Sequence, residues 1–139
     1  MIIVVCSALI TQEDRVLLVH ENKMDKFGLP GGKLEAGESL RACLARELLE
    51  EIGAETRIND LIMTTEKPQT HEGNTVIRFI YTADIVSQEA NSELTYGYYD
   101  QAQVTAMAAS GKLRGKDVEH LLEAFFASKI QPIPEPLQF

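Results

Sequence analysis

The sequence has no surplus of positive charge. Its 13 lysines and arginines stand against 21 aspartates and glutamates, a formal net charge of -8. Long nucleic acid and anionic membrane surfaces need a basic footprint, so this balance argues against either as the main partner. A small anionic substrate stays open, because a bound metal can reverse the local field. Cysteine is equally scarce. Cys6 and Cys43 each lie in an apolar stretch, and no Cys/His cluster has zinc spacing. Two cysteines make no disulfide framework, so they read as buried free thiols in a reducing compartment. There is no long apolar run. Met1 to Ile10 is apolar, but this is about half of what a membrane span needs. No basic segment precedes it, as a secretory signal would require. The stretch reads as a buried strand and the protein as cytoplasmic. No repeat, low-complexity tract or linker divides the 139 residues, which suit one domain over 1–139.

What is present is a mixed pattern. Ile3 to Leu9 and Arg15 to His20 are aliphatic and β-branched, with Thr11 to Asp14 between them, and predict two strands joined as a hairpin. Asn22 to Phe27 reads as a loop. Gly28 to Gly37 holds four glycines and a proline, a composition against any regular element. Ser39 to Ile52 lacks both residues and is rich in Leu, Ala, Glu and Arg. It predicts the strongest helix, with Ser39 as N-cap and Gly53 at its end. Thr56 to Glu66, Thr75 to Val86 and Glu93 to Tyr99 predict strands, Gln101 to Ser110 and Asp117 to Lys129 helices, and the proline-bearing tail from Gln131 an extended segment. Strands on both sides of a central helix imply mixed α/β layers.

The chemistry concentrates between Leu29 and Ala54. At about 100° per residue, Glu47, Glu50 and Glu51 share one stripe of the helix, beside a separate stripe of Ala42, Ala45, Leu48, Leu49 and Ile52. Like charges so placed repel, and Arg46, four residues before Glu50, relieves only part of this. An acidic solvated face would show the same three residues. The glycine loop at fixed distance favours another use: hard oxygen ligands suit Mg²⁺ or Mn²⁺, and a backbone without side chains can approach phosphate closely.

This segment resembles the signature of the Nudix hydrolases: Gly, five residues, Glu, seven residues, Arg-Glu, an aliphatic, any residue, Glu-Glu, any residue, Gly, an aliphatic. Gly32, Glu38, Arg46, Glu47, Leu48, Glu50, Glu51 and Gly53 meet it, and Ala54 stands where a larger aliphatic is usual. The resemblance implies an α/β/α sandwich around a mixed sheet. It implies that Glu47, Glu50 and Glu51 bind Mg²⁺ or Mn²⁺, with the Gly31 carbonyl and a later loop carboxylate, Glu93, as further ligands. Water would attack phosphorus, with Glu47, Glu50 or a later carboxylate as base and Arg46 orienting the glutamates. Glu38 is placed either as a cap or in a metal-linked role. Lys33, Glu35 and Phe27 are the candidates for contact with substrate, Phe27 by stacking on a base. The expected reaction is cleavage of a nucleoside triphosphate to a monophosphate and pyrophosphate. The alternatives are cleavage of a nucleoside diphosphate linked to another group, such as ADP-ribose or a nucleotide sugar, and a non-catalytic nucleotide-sensing module. The partner is then a small nucleotide. Dimers are common in that family, so a homodimer joins the partners implied.

Overall fold

A computed structural model describes residues 1–89 and 91–139. Among them, eight strands and three helices follow in the order β1 (Ile2–Leu9), β2 (Thr11–Gln12), β3 (Arg15–Glu21), β4 (Lys26–Gly28), β5 (Gly31–Lys33), α1 (Leu40–Ile52), β6 (Ala54–Lys67), β7 (Thr75–Gln88), β8 (Thr95–Tyr99), α2 (Gln101–Ala109) and α3 (Lys116–Phe126).

One sheet runs β5-β1-β7-β6, and the other runs β2-β3-β4 with β8 also on β3. The first is mixed: β1 and β7 are parallel, while β5 on β1 and β6 on β7 are antiparallel. Successive side chains of a strand point to opposite faces. Cys6 and Ala8 of β1, Leu17 and Val19 of β3, and Tyr81 and Ala83 of β7 therefore pack with Leu44, Leu48 and Ile52 of α1. Their neighbours Leu9, Val16, Leu18 and Ile80 pack with Val104, Val118, Leu121 and Leu122 of α2 and α3. Two cores on opposite faces give three layers, helix on sheet on helices, as expected.

The helix limits agree with the sequence reading. The Ser39 hydroxyl accepts the Ala42 N–H at 3.1 Å, and Gly53, in the left-handed region at φ 68°, donates its N–H to the Leu49 carbonyl. Two expectations fail. β1 and β3 do not form a hairpin: β1 lies between β5 and β7, and β3 between its partners β4 and β8. The short turn instead closes the small β2–β3 hairpin. Both strands are buried on two faces, and local patterning cannot choose among edges for such a strand. The glycine stretch is also not wholly irregular. Gly31 and Gly32 pair with Ser7 and Cys6 as strand β5, and Lys26 and Phe27 belong to β4.

Cys6 and Cys43 are both fully buried. Burial, above the neighbouring Cys43, Glu38 and Glu47, pushes the Cys6 thiol up to about 12. Thiolate is the reactive form, so neither cysteine should react with a thiol reagent in native protein at pH 8, and both should react after denaturation. Prompt labelling of the native protein would contradict this burial.

Candidate active site

The site forms where α1 passes beneath the edge strand β5. The Gly31 N–H donates to Glu51 Oε1 at 2.7 Å. One turn earlier, the Glu47 carboxylate fills the space a Cβ on Gly32 would need, with both oxygens within 2.5 Å of that position. A side chain at position 32 would displace it, which is why glycine stands there. Arg46 ties the group together. Its Nε and Nη2 grip both oxygens of Glu38 at 2.6 and 2.9 Å, Nη1 donates to Glu47 at 2.9 Å and lies 3.4 Å from Glu50, and Nη2 donates to the Lys33 carbonyl at 3.1 Å. Glu35 stands 3.7 Å from Nη1. The Arg46 fork, helped by the Glu35 N–H, lowers the Glu38 carboxyl to about 2. Glu38 is thus an anchor for Arg46, not the helix cap, which Ser39 supplies. Glu50 is the loosest of the three motif glutamates, its side chain 50% exposed against 16% for Glu47.

Glu51 is the electrostatic centre. Burial first, then the charges of Glu47 and Glu93, raise its carboxyl to about 7, against the opposing pull of the Gly31 N–H and Arg114. The charge of Glu93 is therefore felt at Glu51. The loop before β8 is pinned to the end of α1, through Glu89 N–H to the Gly53 carbonyl and Leu94 N–H to the Glu51 carbonyl. Among the described residues no set of three His, Cys, Asp or Glu side chains stands ready-made around one point to hold an ion. The reason is visible: Glu47 is turned to Arg46 and Glu51 to Gly31. The donor set still suits a divalent cation. It consists of hard oxygens, one of them on a carboxyl that burial first and acidic neighbours second raise to about 7, and a cation would stabilise its charged form.

The other predicted residues scatter more widely. The Lys33 side chain is exposed at the end of β5 and Glu35 is exposed in the following loop. The Phe27 ring packs on the second core, 4.7 Å from the His20 ring and edge-on to Tyr99 at 5.5 Å. The nearby tyrosines are packed as well, Tyr96 and Tyr98 on the first core and Tyr99 on the second. Two arginines escaped the sequence reading. Arg78 interrupts the apolar run of β7, between Ile77 and Phe79, and that interruption could have flagged it. Arg114 lies in the loop before α3, where nothing in the sequence marks it. Its backbone N–H donates to the Phe27 carbonyl at 2.7 Å, and its charge is felt by both Glu51 and Arg78.

Comparison with known proteins agrees with this geometry. The chain is 31% identical over 130 residues to the 8-oxo-dGDP phosphatase NUDT18 of Homo sapiens, covering 86% of this chain and 37% of that protein. It is 28% identical over 89 residues to an ADP-ribose pyrophosphatase of Methanocaldococcus jannaschii, covering 62% of this chain and 53% of that one. The chain thus spans only about a third to a half of these relatives' lengths. A solved NUDIX hydrolase from Nitrosomonas europaea superposes with a TM-score of 0.81 at 26% identity, covering 96% of this chain and 94% of that one. The family model for the NUDIX domain matches residues 1–115, so the chain belongs to the Nudix hydrolase family.

Proposed function

We propose that this chain hydrolyses a diphosphate linkage in a nucleoside triphosphate or related nucleotide, using Mg²⁺ or Mn²⁺ held by Glu47, Glu50, Glu51 and Glu93 with the Gly31 carbonyl. The observation that carries this reading is the convergence of the α1 glutamates on the side-chain-free edge of β5, with Glu51 raised to about 7 by burial and by its acidic neighbours. Such a cluster costs stability in the free protein, and a divalent cation with a polyphosphate is the chemistry that offsets it. When bound, the metal supplies Lewis-acid stabilisation of charge on the leaving phosphate and lowers the pKa of water. The chain's own part is then to position and to accept a proton. Water bonds to phosphorus, the bridging P–O bond breaks, and the proton of the water passes to a carboxylate. Glu50 is the freest to accept it, since it is half exposed and held by Arg46 only at 3.4 Å. Arg46, fixed by Glu38, bridges Glu47 and Glu50 through its Nη1 and orients them. For contact with the phosphate chain we keep Lys33 and Glu35 as the candidates, which their exposure at and after the end of β5 supports.

A second reading is supported by the name of the Methanocaldococcus relative: cleavage of a nucleoside diphosphate joined to another group, ADP-ribose among them. We place the protein in the cytoplasm on its two buried free thiols. No helix among the described residues is long and apolar enough to cross a membrane.

The test is release of phosphate and pyrophosphate from nucleoside triphosphates, ADP-ribose and nucleotide sugars with Mg²⁺ or Mn²⁺. Turnover should vanish in EDTA and fall by about 10²-fold or more in Glu47→Gln and Glu51→Gln. Turnover that survives EDTA and both substitutions would remove the proposal. Folded protein that binds nucleotides but turns over none would favour the sensing module.

A further inference from the structure

The C-terminal tail is tied to the active-site helix through one side chain. Arg41 lies in the first turn of α1, three residues after Glu38. Its Nη1 donates to the Ile58 carbonyl at 2.7 Å and its Nη2 to the Asn59 carbonyl at 2.5 Å, where the register of β6 shifts between Ile58 and Leu61. Its Nε and Nη2 both donate to Glu135 Oε1, at 3.0 and 2.7 Å. Three segments distant in sequence thus share one guanidinium, a task for the planar fork of arginine that a lysine could not perform. The tail reaches this point already shaped. The Ile133 N–H donates to the Leu61 carbonyl at 2.8 Å, on the outer edge of β6. Positions 132 and 134, whose N–H groups would face away from β6, are prolines. Their fixed φ lowers the entropy that docking the tail costs.

Packing does not fix the first turn of α1 on this side. A cavity of about 200 Å³ opens among Ser39, Leu40, Tyr81, Pro136 and Gln138. Atoms that face a void lack the contacts that set position in a packed core. The polar bridge from Arg41 therefore carries the restraint. Glu38 borders the same cavity. Its two oxygens anchor Arg46, and Arg46 in turn holds Glu47 and Glu50.

We propose that Glu135 of the C-terminal tail is a positioning residue for the active site. Through Arg41 it fixes the first turn of α1, and so keeps Glu38 under Arg46 and the α1 glutamates set to receive a divalent cation. This inference rests on the reading above for the cation and the reaction. The tail lies outside residues 1–115, the stretch that the family model matches. As a plain surface ion pair, with side chains 40% and 37% exposed, Arg41 and Glu135 would add little to stability and nothing to the site.

The test compares full-length wild type with E135Q, R41K, the double variant and L137A. Solvent exchange of the Arg46 Nε–H, followed by NMR on metal-free protein and assigned with R46K, reads the Glu38 fork directly. It should quicken about tenfold in E135Q and in R41K. Mn²⁺ affinity, by calorimetry without nucleotide, should weaken about tenfold, and kcat should fall about as much with KM within about twofold. The double variant should be no worse than the worse single one, because both act through one contact. L137A alters a tail side chain that is 81% exposed and should match wild type throughout. All melting temperatures should stay within about 4 °C of wild type. Unchanged Arg46 exchange in E135Q overturns the proposal. So does faster exchange with Mn²⁺ affinity and kcat intact, an equal loss in L137A, or losses that add in the double variant. Should R41K fail to fold, E135Q decides alone. Wild type that neither binds Mn²⁺ nor turns over a nucleotide sinks the hydrolase reading, and Arg46 exchange then still decides whether Glu135 positions the fork.

Discussion

Gly31→Ala should lower the melting temperature by on the order of 10 °C and abolish activity, while Gly32→Ala should fold nearly normally and still lose about tenfold or more of its turnover. The two glycines are adjacent but constrained by different atoms. A Cβ on Gly31 would overlap the Cys6 carbonyl oxygen and stand 2.7 Å from Ser7 Cα, and the backbone there has φ 147°. Both obstacles are main chain of the central strand β1, which cannot move without breaking its pairing with β7. The overlap and the strained conformation together should cost about 3–5 kcal/mol. The atoms nearest a Cβ on Gly32 are those of the Glu47 carboxylate, the far end of a flexible side chain. That side chain can swing away at little cost in stability, but it then leaves the site, so turnover should fall by about tenfold or more. Gly37→Ala is the control. It too has a positive φ, 82°, but no atom lies within 4 Å of the new Cβ, so only the left-handed penalty of roughly 1–2 kcal/mol applies. Thermal melts of the three variants, with kinetics beside them, check the argument. A Gly31→Ala protein as stable as Gly37→Ala would show that β1 does not constrain the loop.

Glu51→Gln should stabilise the metal-free protein above pH 7 even as it removes activity. The folded carboxyl titrates at about 7, against an ordinary value of 4.5. Between those values the native protein binds the proton and the unfolded chain releases it, so stability falls as pH rises through this window and the loss is complete above it. Below pH 4.5 both states are protonated and the site contributes nothing. The window corresponds to about 3 kcal/mol at most, and partial solvation reduces this to roughly 1–3 kcal/mol. Glutamine keeps an oxygen to accept the Gly31 N–H and carries no charge to repel Glu47 and Glu93. Urea unfolding in EDTA should therefore find the variant equal to wild type at pH 4 and more stable at pH 8. Added Mg²⁺ or Mn²⁺ should narrow that gap, because an ion that binds only the folded wild type stabilises it. A variant less stable than wild type at pH 8 would mean that the Glu51 charge is welcome in the free protein, contrary to the burial and acidic neighbours seen around it.

By itself the sequence determined the features that depend on near neighbours. The helix over Leu40–Ile52 begins and ends on caps encoded within four residues, Ser39 and Gly53, and its acidic stripe follows from helical geometry alone. The spacing from Gly32 to Gly53 was enough to identify the family, because those positions act together on one loop and one helix. The tertiary structure decided whatever depends on distant partners. β1 and β3 carry patterns equally compatible with pairing each other, and only the assembled sheets allot β1 to β5 and β7 and β3 to β4 and β8. A glycine stretch that reads as irregular becomes strand β5 because β1 supplies its hydrogen bonds. The charge of Glu93 is felt at Glu51 because backbone bonds pin its loop to the end of α1, and the charge of Arg114 is felt at Arg78 across two segments far apart in the chain. Capping and periodicity are written in consecutive residues, whereas strand partners and converging charges are set by which buried faces close on each other, and no local stretch of sequence carries that information.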